Sequence, residues 1–189
     1  CVLSLHRSPI TIRENEASAL EHAFQEGYIK PRVPKVRTGK KVAVIGSGPS
    51  GLAVANQLNQ KGHDVTVYEK NSRPGGLLRF GIPDFKLNKN IVDRRISLME
   101  AEGVKFINNT EVGIDVRGKD LMKDYDAVCL AIGSQVPRDL PVPGRELKGV
   151  YYAMEYLTVK NKIVARDEVP ADQIIDVKGK NVLVIGGGD

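Results

Sequence analysis

The sequence predicts an α/β fold, in which helices cover a parallel β-sheet, and two observations lead to this prediction. Residues 42–45 are a short, mostly β-branched apolar run, typical of a parallel strand that is buried on both faces. This run leads into a glycine-rich turn at residues 46–51, a helical apolar pattern that ends near Gly62, and a second apolar run at residues 65–69. A strand, turn, helix and strand in this order are typical of a Rossmann-like domain.

The glycine-rich turn has the spacing of a phosphate-binding site, because Gly46, Gly48 and Gly51 match the pattern G-x-G-x-x-G. In this pattern the first glycine makes a tight turn, the second lets the backbone approach a pyrophosphate, and the third lets the helix pack closely on the strand. Unpaired N–H groups at the helix N-terminus favour negative charge. The residues predicted to bind the phosphates are Gly46, Ser47, Gly48, Pro49, Ser50 and Gly51.

An acidic residue ends the second predicted strand. Glu69 lies roughly 20 residues after the first glycine, where dinucleotide-binding domains place a carboxylate that binds a ribose hydroxyl. The alternative is a glycine turn that serves the structure alone and binds no ligand. The complete series of strand, turn, helix, strand and acid favours a bound dinucleotide.

Composition excludes several functional classes for these 189 residues. No apolar run is long enough to span a membrane and no signal peptide is visible, so we expect no membrane partner. The net charge of +5 is mild and accompanies no nucleic-acid-binding motif, so no nucleic-acid partner is predicted. Cys1 and Cys129 form neither a disulfide framework nor a C-x-x-C redox pair, which indicates a reducing, cytoplasmic compartment.

The residues before the first strand predict a helix and a connector. Thr11 and Glu14 have the spacing of a capping box, and the helix that they begin ends near Gly27. Residues 30–40 are basic and proline-rich, and we interpret them as a solvated linker in preference to a docking surface. The chain opens without methionine and stops just after a predicted strand, so we expect it to be a piece of a longer polypeptide.

A long loop follows the second strand, at residues 71–83. Its apolar residues argue against disorder, and Gly75 and Gly76 would allow close approach to a bound group, so we expect a functional loop. Beyond it, apolar patterns predict a helix at 89–102, a strand at 104–107, a buried strand at 126–133 and a short helix at 151–159.

The end of the chain repeats its first motif. Residues 178–189 match residues 38–49 with identical residues at seven of twelve positions. Residues 182–185 are again predicted to be a strand, followed by a glycine turn, although the third glycine and the acidic residue lie beyond the sequence. The repeat predicts a second dinucleotide site, which begins at Gly186, Gly187, Gly188 and Asp189.

Two such sites in one chain indicate two nucleotide cofactors that exchange electrons. The motifs resemble those of flavoproteins with two dinucleotide-binding domains, and within that group those of the small (beta) subunits of glutamate synthase. The segments that carry the resemblance are residues 44–52, 73–83, 93–104, 136–140 and 186–189. The Gly-Gly-Leu-Leu-Arg stretch at 75–79 is far more specific than the glycine turn alone.

The resemblance implies three regions. Residues 1–37 would be the end of an N-terminal helical iron–sulfur domain and a linker. Residues 38–145 would form the first part of a Rossmann-like FAD-binding domain. Residues 146–189 would be a connector and the start of an inserted NAD(P)H-binding domain, which is also Rossmann-like.

The resemblance also implies cofactor contacts. The first glycine turn would bind the FAD pyrophosphate, and the second glycine turn would begin the NADPH site. Ile132 stands where the family often has threonine, so no hydroxyl contact is available there. The further residues implied at FAD are Glu69 at the adenosine ribose, Lys70 as a further cofactor-binding residue, Gly76, Leu77, Arg79 and Lys86 along the flavin, Val112 at the adenine, and Ala131, Ile132 and Gly133 beside the cofactor.

Cys1 falls where the family has the last cysteine of an iron–sulfur group. A [4Fe–4S] cluster normally needs four thiolates, so one cysteine cannot hold it. Cys1 would be a cluster ligand only in the intact parent protein, and the alternative is a terminal cysteine without a role.

The implied function is an NADPH-dependent FAD oxidoreductase that sends electrons through iron–sulfur clusters to a glutamate synthase large subunit, or to a fused large region, which makes glutamate from glutamine and 2-oxoglutarate. Because the cofactors carry the chemistry, no catalytic acid or base is predicted. The piece alone would be inactive and poorly stable. The alternatives are a subunit of a ferredoxin-linked NAD(P) oxidoreductase, a sulfide dehydrogenase, a dihydropyrimidine dehydrogenase-like electron-input module, or a non-catalytic nucleotide-binding module.

Overall fold

The computed structural model of the chain describes residues 2–134 and 136–186. They fall into two compact units, Cys1–Arg32 and Val33–Asp189. The first unit holds helix α1 at Ile12–Gln25, as predicted, and a 3₁₀-helix at Val2–Leu5 that was not predicted. The predicted capping box is wrong, because the Thr11 backbone is not extended and its hydroxyl donates to Asn15 Oδ1 at 3.4 Å in place of accepting from a backbone N–H.

The second unit is built on a four-stranded parallel sheet with the strand order β3–β2–β1–β4. This arrangement confirms the predicted α/β fold class. The elements are β1 (Lys41–Ile45), α2 (Pro49–Gln60), β2 (Asp64–Tyr68), α3 (Leu77–Phe80), α4 (Lys89–Ala101), β3 (Lys105–Ile107), α5 (Gly118–Asp124), β4 (Ala127–Leu130), α6 (Ala153–Val164) and a 3₁₀-helix at Ala171–Gln173.

The central strand β1 is buried on both faces, as its apolar run predicts. Because side chains alternate along a strand, Val42 and Val44 face α2 and α4, whereas Ala43 faces Tyr68 and Leu121 on the other side of the sheet. The carboxyl ends of β1, β2 and β4 meet at one edge of the sheet, and this edge carries the candidate site.

The fourth strand is less buried than predicted. The strand β4 spans Ala127–Leu130 in place of residues 126–133, and Leu130 is 70% exposed. The reason is its position at the edge of the sheet, where it pairs with β1 alone among the described strands. Cys129 in this strand is half-buried and packs against the larger core cluster, where it acts as a small apolar residue.

The second predicted nucleotide strand is not formed. Val182–Ile185 adopt no strand conformation, and their exposed fractions lie between 61% and 84%. An apolar run becomes a strand only when a neighbouring strand accepts its hydrogen bonds, and no described strand pairs with these residues. Two short helices, α3 and α5, were not predicted, because four and seven residues are too few to show helical periodicity.

The connector before β1 is mostly exposed, as expected of a solvated linker, but one of its side chains is docked on the sheet domain. The Arg37 guanidinium donates to Asn59 Oδ1 at 2.8 Å, to the His63 carbonyl at 2.9 Å and to the Glu102 carbonyl at 3.0 Å. The last two carbonyls lie at the C-terminal ends of α2 and α4, where a cation is favoured. Arg37 therefore ties both helices to the segment that enters the sheet.

We expect Arg37→Met to lower the free energy of unfolding of the full-length protein by about 1–3 kcal/mol, because it removes a donor from the buried Asn59 side chain. Urea unfolding followed by circular dichroism measures this change. The matched control is Arg117→Met, which breaks an exposed ion pair with Asp120 and is expected to cost less than about 0.5 kcal/mol. Equal losses in the two variants would contradict the docking role.

The second core face contains a pair of tyrosines, with Tyr68 Oη 3.0 Å from Tyr125 Oη. Burial, followed by the hydrogen bond to Tyr125, raises the pKa of Tyr68 from 10.0 to about 12. The folded state thus favours the neutral phenol. The associated stability is fully present below pH 10 and is lost as the pH rises towards 12.

Tyr68→Phe should therefore weaken the pH dependence of unfolding between pH 10 and 12, since phenylalanine has no proton to lose. The test compares denaturant midpoints of variant and parent below pH 10 and near pH 12. Tyr151→Phe, at a half-exposed tyrosine, is the control and should keep the parent's pH dependence. An unchanged slope in Tyr68→Phe would show that this tyrosine does not link stability to pH.

Candidate dinucleotide-binding site

Two glycines of the turn are required by the packing of the protein itself. Gly46 has φ of +98°, and a Cβ added to it would lie 2.4 Å from the Ala131 carbonyl oxygen. A Cβ on Gly51 would lie 2.0 Å from the Gly46 carbonyl oxygen. These contacts join the end of β1, the first turn of α2 and the residue after β4 at the carboxyl edge of the sheet.

Gly48 has a different environment. A Cβ added to Gly48 would meet no atom within 4 Å, and its φ of −66° is open to any residue. Gly48 precedes Pro49, the first residue of α2, and the first bond within the helix is from Leu52 N to Gly48 O at 2.9 Å. The N–H groups of Ser50 and Gly51 thus have no acceptor within the helix and lie beside this open space. The arrangement fits a phosphate group.

Ser47 was predicted to bind phosphate, but its side chain points into the protein. The residue is 1% exposed, and its hydroxyl donates to Glu69 Oε2 and accepts from Gly75 N at 3.0 Å. Ser47 therefore links the glycine turn to the residue after β2 and to the following loop. Sequence spacing does not reveal this link, because its partners lie far along the chain.

Glu69 follows β2 at the edge of the site and is 4% exposed. Its carboxylate accepts from Ser47 N at 3.2 Å, from Asn71 N at 2.8 Å, from Asn71 Nδ2 at 2.7 Å and from the Ser47 hydroxyl. These four bonds use the usual acceptor positions of a carboxylate. A ribose hydroxyl would have to replace one of them, and the role of Glu69 at the ribose stays a prediction.

The long loop crosses directly over the glycine turn. Gly76 has φ of +51°, and a Cβ on it would lie 2.8 Å from Gly48 Cα. Leu77 is 58% exposed, whereas Arg79 is 3% exposed, with its Nε donating to the Pro74 carbonyl at 2.7 Å and its Nη2 paired with Asp93. The Leu77 side chain is therefore available to a ligand, and the Arg79 side chain holds the loop together.

The loop is also tied to the start of α4. Lys89 Nζ donates to the Ile82 carbonyl at 2.7 Å and to the Leu87 carbonyl at 2.8 Å, and burial lowers the pKa of Lys89. These contacts fix the second half of the loop, so that both of its ends are anchored in the fold.

The structure brings Ala131–Gly133 to the turn. Ala131 N donates to the Ile45 carbonyl at 2.8 Å, Ile132 is 58% exposed, and Gly133 has φ of +69°. Val112 is half-buried beside the second core face and bridges to Val116. Lys70 and Lys86 are exposed.

Gly186 is exposed and not part of a strand. The predicted NADPH residues Gly187, Gly188 and Asp189 and the predicted cluster ligand Cys1 lie outside the described residues.

Over residues 2–134 and 136–186, no helix has the length and apolar character needed to cross a membrane. The same residues contain no group of three or more His, Cys, Asp or Glu side chains that could hold a metal ion.

The turn, the helix N-terminus and the parallel sheet together define a dinucleotide-binding protein. A family model described as pyridine nucleotide-disulphide oxidoreductase matches residues 40–189, and the chain belongs to this family. Its two cysteines, Cys1 and Cys129, include no C-x-x-C pair, so these residues do not supply the disulphide chemistry of the family name.

The particular relatives confirm the predicted resemblance to glutamate synthase small subunits. The chain is 51% identical over 189 residues to the glutamate synthase [NADPH] small chain of Bacillus subtilis, covering all of this chain and 38% of that protein. It is also 51% identical over 191 residues to the glutamate synthase [NADH] of Schizosaccharomyces pombe, of which it covers 9%. The chain thus spans well under half the length of these curated relatives.

A solved structure shares the fold. FprA of Mycobacterium tuberculosis, solved in complex with NADPH, matches with a TM-score of 0.59 and 31% identity over 65% of this chain and 29% of that one. The likeness agrees with the predicted α/β fold.

Gly51, which has no room for a Cβ, and Gly48, which has room for one, give a direct test of the site in the full-length protein. Gly51→Ala should lower the free energy of unfolding by about 1–3 kcal/mol, because the added Cβ overlaps the Gly46 carbonyl. Gly48→Ala should leave the unfolding midpoint nearly unchanged and yet weaken FAD binding, because its Cβ enters the open space. Thermal melts of the apoprotein and FAD titration separate the two effects, and full FAD affinity in folded Gly48→Ala would place the phosphates elsewhere.

Proposed function

We propose that this chain is part of an NADPH-dependent FAD oxidoreductase that supplies electrons for the synthesis of glutamate from glutamine and 2-oxoglutarate. The observation that carries the proposal is the open space at Gly48, which is the residue before the first turn of α2, where backbone N–H groups have no acceptor within the helix. The chain that contains this site is 51% identical to a glutamate synthase [NADPH] small chain.

Within the proposed site, Gly48, Ser50 and Gly51 would hold the FAD pyrophosphate with backbone groups. The exposed residues Leu77 and Ile132 lie on segments that border the turn, and they would shield the flavin from water. When bound, FAD would accept a hydride from reduced nicotinamide and release single electrons. The residues of the chain contribute binding, orientation and exclusion of water, and none of them is assigned as an acid or base.

The remaining contacts of the predicted set are also proposals. Glu69 would lie near the adenosine ribose and Val112 near the adenine, and Lys70 would be a further cofactor-binding residue. Lys86 is exposed on the long loop and would reach towards the flavin. The second glycine turn, at residues 186–189, would begin the NADPH site. This assignment is supported by the match of residues 178–189 to residues 38–49, which are identical at seven of twelve positions.

The electron partner would be a glutamate synthase large subunit, or a large region fused to this one in a single polypeptide. The small share of the Schizosaccharomyces pombe relative that the chain covers, 9%, is what a fused arrangement would give. A [4Fe–4S] cluster, with Cys1 as one ligand, would connect the two in the intact, cytoplasmic protein. Since a cluster needs about four thiolates, the other ligands must come from further cysteines.

The decisive experiment measures flavin absorbance in the full-length protein. Purified without added cofactor and kept free of oxygen, it should show visible flavin absorbance that NADPH bleaches, and Gly48→Ala should reduce the bound flavin. A colourless protein would contradict the proposal. Flavin binding without bleaching by NADPH or NADH would favour a non-catalytic nucleotide-binding module, and glutamate formation with the large partner separates glutamate synthase from other electron-input subunits.

A further inference from the structure

Helix α6 ends in a turn that directs one acidic side chain back towards the long loop. Arg166 N donates to the Ile163 carbonyl at 3.0 Å, and Asp167 N donates to the Lys162 carbonyl at 2.9 Å, which is a Schellman arrangement. Arg166 occupies its left-handed position with φ of +60°, where glycine is preferred. The turn therefore contains a non-glycine residue in a strained conformation, and this turn determines where Asp167 lies.

Asp167 forms an ion pair across the molecule. Both of its carboxylate oxygens accept from Arg73 Nη2, at 2.5 Å and 2.6 Å, and both side chains are about two-thirds or more buried, with exposures of 26% for Asp167 and 36% for Arg73. One helical turn and a half earlier, the buried Asn161 donates from Nδ2 to the Phe80 carbonyl at 3.0 Å. Two polar contacts therefore connect α6 to the two ends of the segment from Arg73 to Phe80.

Residues of both contacts, Arg73 and Asn161, line a cavity at this face of α6. The cavity of about 300 Å³ lies between α6, α3 and the start of α4, lined by Arg73, Arg79, Phe80, Lys89 and Asn161 among others. Because space remains between these surfaces, the two polar contacts add to the packing of α6 against α3. Loss of either contact should loosen the helix.

The attachment continues to the glycine turn. Arg73 precedes Pro74, whose carbonyl accepts from Arg79 Nε at 2.7 Å, and Gly75 N donates to the Ser47 hydroxyl at 3.0 Å. Gly76 then lies against Gly48, the residue beside the open space. A connected series of bonds and close contacts therefore runs from the end of α6 to the proposed phosphate site.

We propose that Asp167 and Asn161 are positioning residues, which hold the segment 73–80 against the glycine turn and fix the approach of nicotinamide to flavin. This proposal rests on the proposed function, because the residues after α6 lead to the second dinucleotide motif. Neither residue would touch a cofactor. Each would act through the loop that it holds.

The first test measures the loop itself. In the full-length protein, Asp167→Asn and Arg73→Gln should each speed hydrogen–deuterium exchange several-fold in peptides covering residues 75–82, with no change in peptides from β1. The double variant should resemble either single variant, since both remove one contact. Arg166→Gly is the control, because glycine keeps the left-handed turn and should leave exchange at the parent level.

The second test measures the proposed consequence. The Asp167→Asn variant should retain its FAD and its NADPH affinity and reduce flavin with NADPH about tenfold or more slowly, because misplacement of about 1 Å can cost on the order of a hundredfold. Asn161→Leu, which keeps the side-chain size without the amide, should act in the same direction. Parent-like reduction rates in both variants would overturn the positioning role.

The two tests separate failure of this proposal from failure of the proposed function. A parent protein whose flavin is not reduced by NADPH or NADH would contradict the function, and the exchange measurement would still decide whether Asp167 holds the loop. Unchanged exchange in Asp167→Asn and Arg73→Gln would overturn the proposal even in an active flavoenzyme.

Discussion

Contact between backbones at the glycine turn is the constraint on which the second unit depends. Gly46 and Gly51 allow the end of β1, the start of α2 and the residue after β4 to meet closer than any side chain permits. This closeness places the N-terminus of α2 at the carboxyl edge of the sheet, where its first N–H groups have no acceptor within the helix. The position of the site is therefore a result of packing, and the space at Gly48 is what remains for a ligand.

The surrounding contacts stabilise this arrangement from several directions. Ser47 joins the turn to Glu69 and Gly75, and Arg37 holds the opposite ends of α2 and α4. The apolar clusters on the two faces of the sheet stabilise the strands. The polar contacts hold the loops, which bury little apolar area. The site thus combines a rigid sheet with a loop held by a few specific hydrogen bonds.

The sequence predicts the fold and the turn well because both depend on local pattern. The apolar run at Val42–Ile45, the glycine spacing and the helix at Lys89–Ala101 each follow from neighbouring residues. The roles of Ser47, Arg37 and Asp167 could not be predicted, since each depends on partners distant in the chain. The exposure of β4 was missed for the same reason, because burial of a strand is decided by what packs on it.

The position of β4 at the border of the sheet has a practical consequence. Its outer row of N–H and C=O groups pairs with no strand among the residues that the structure describes, and Leu130 and Ile132 are exposed along it. Such a border is a template for strands from other molecules. Together with the opposite edge at β3, this border is where a strand of another molecule can add to the sheet at high concentration.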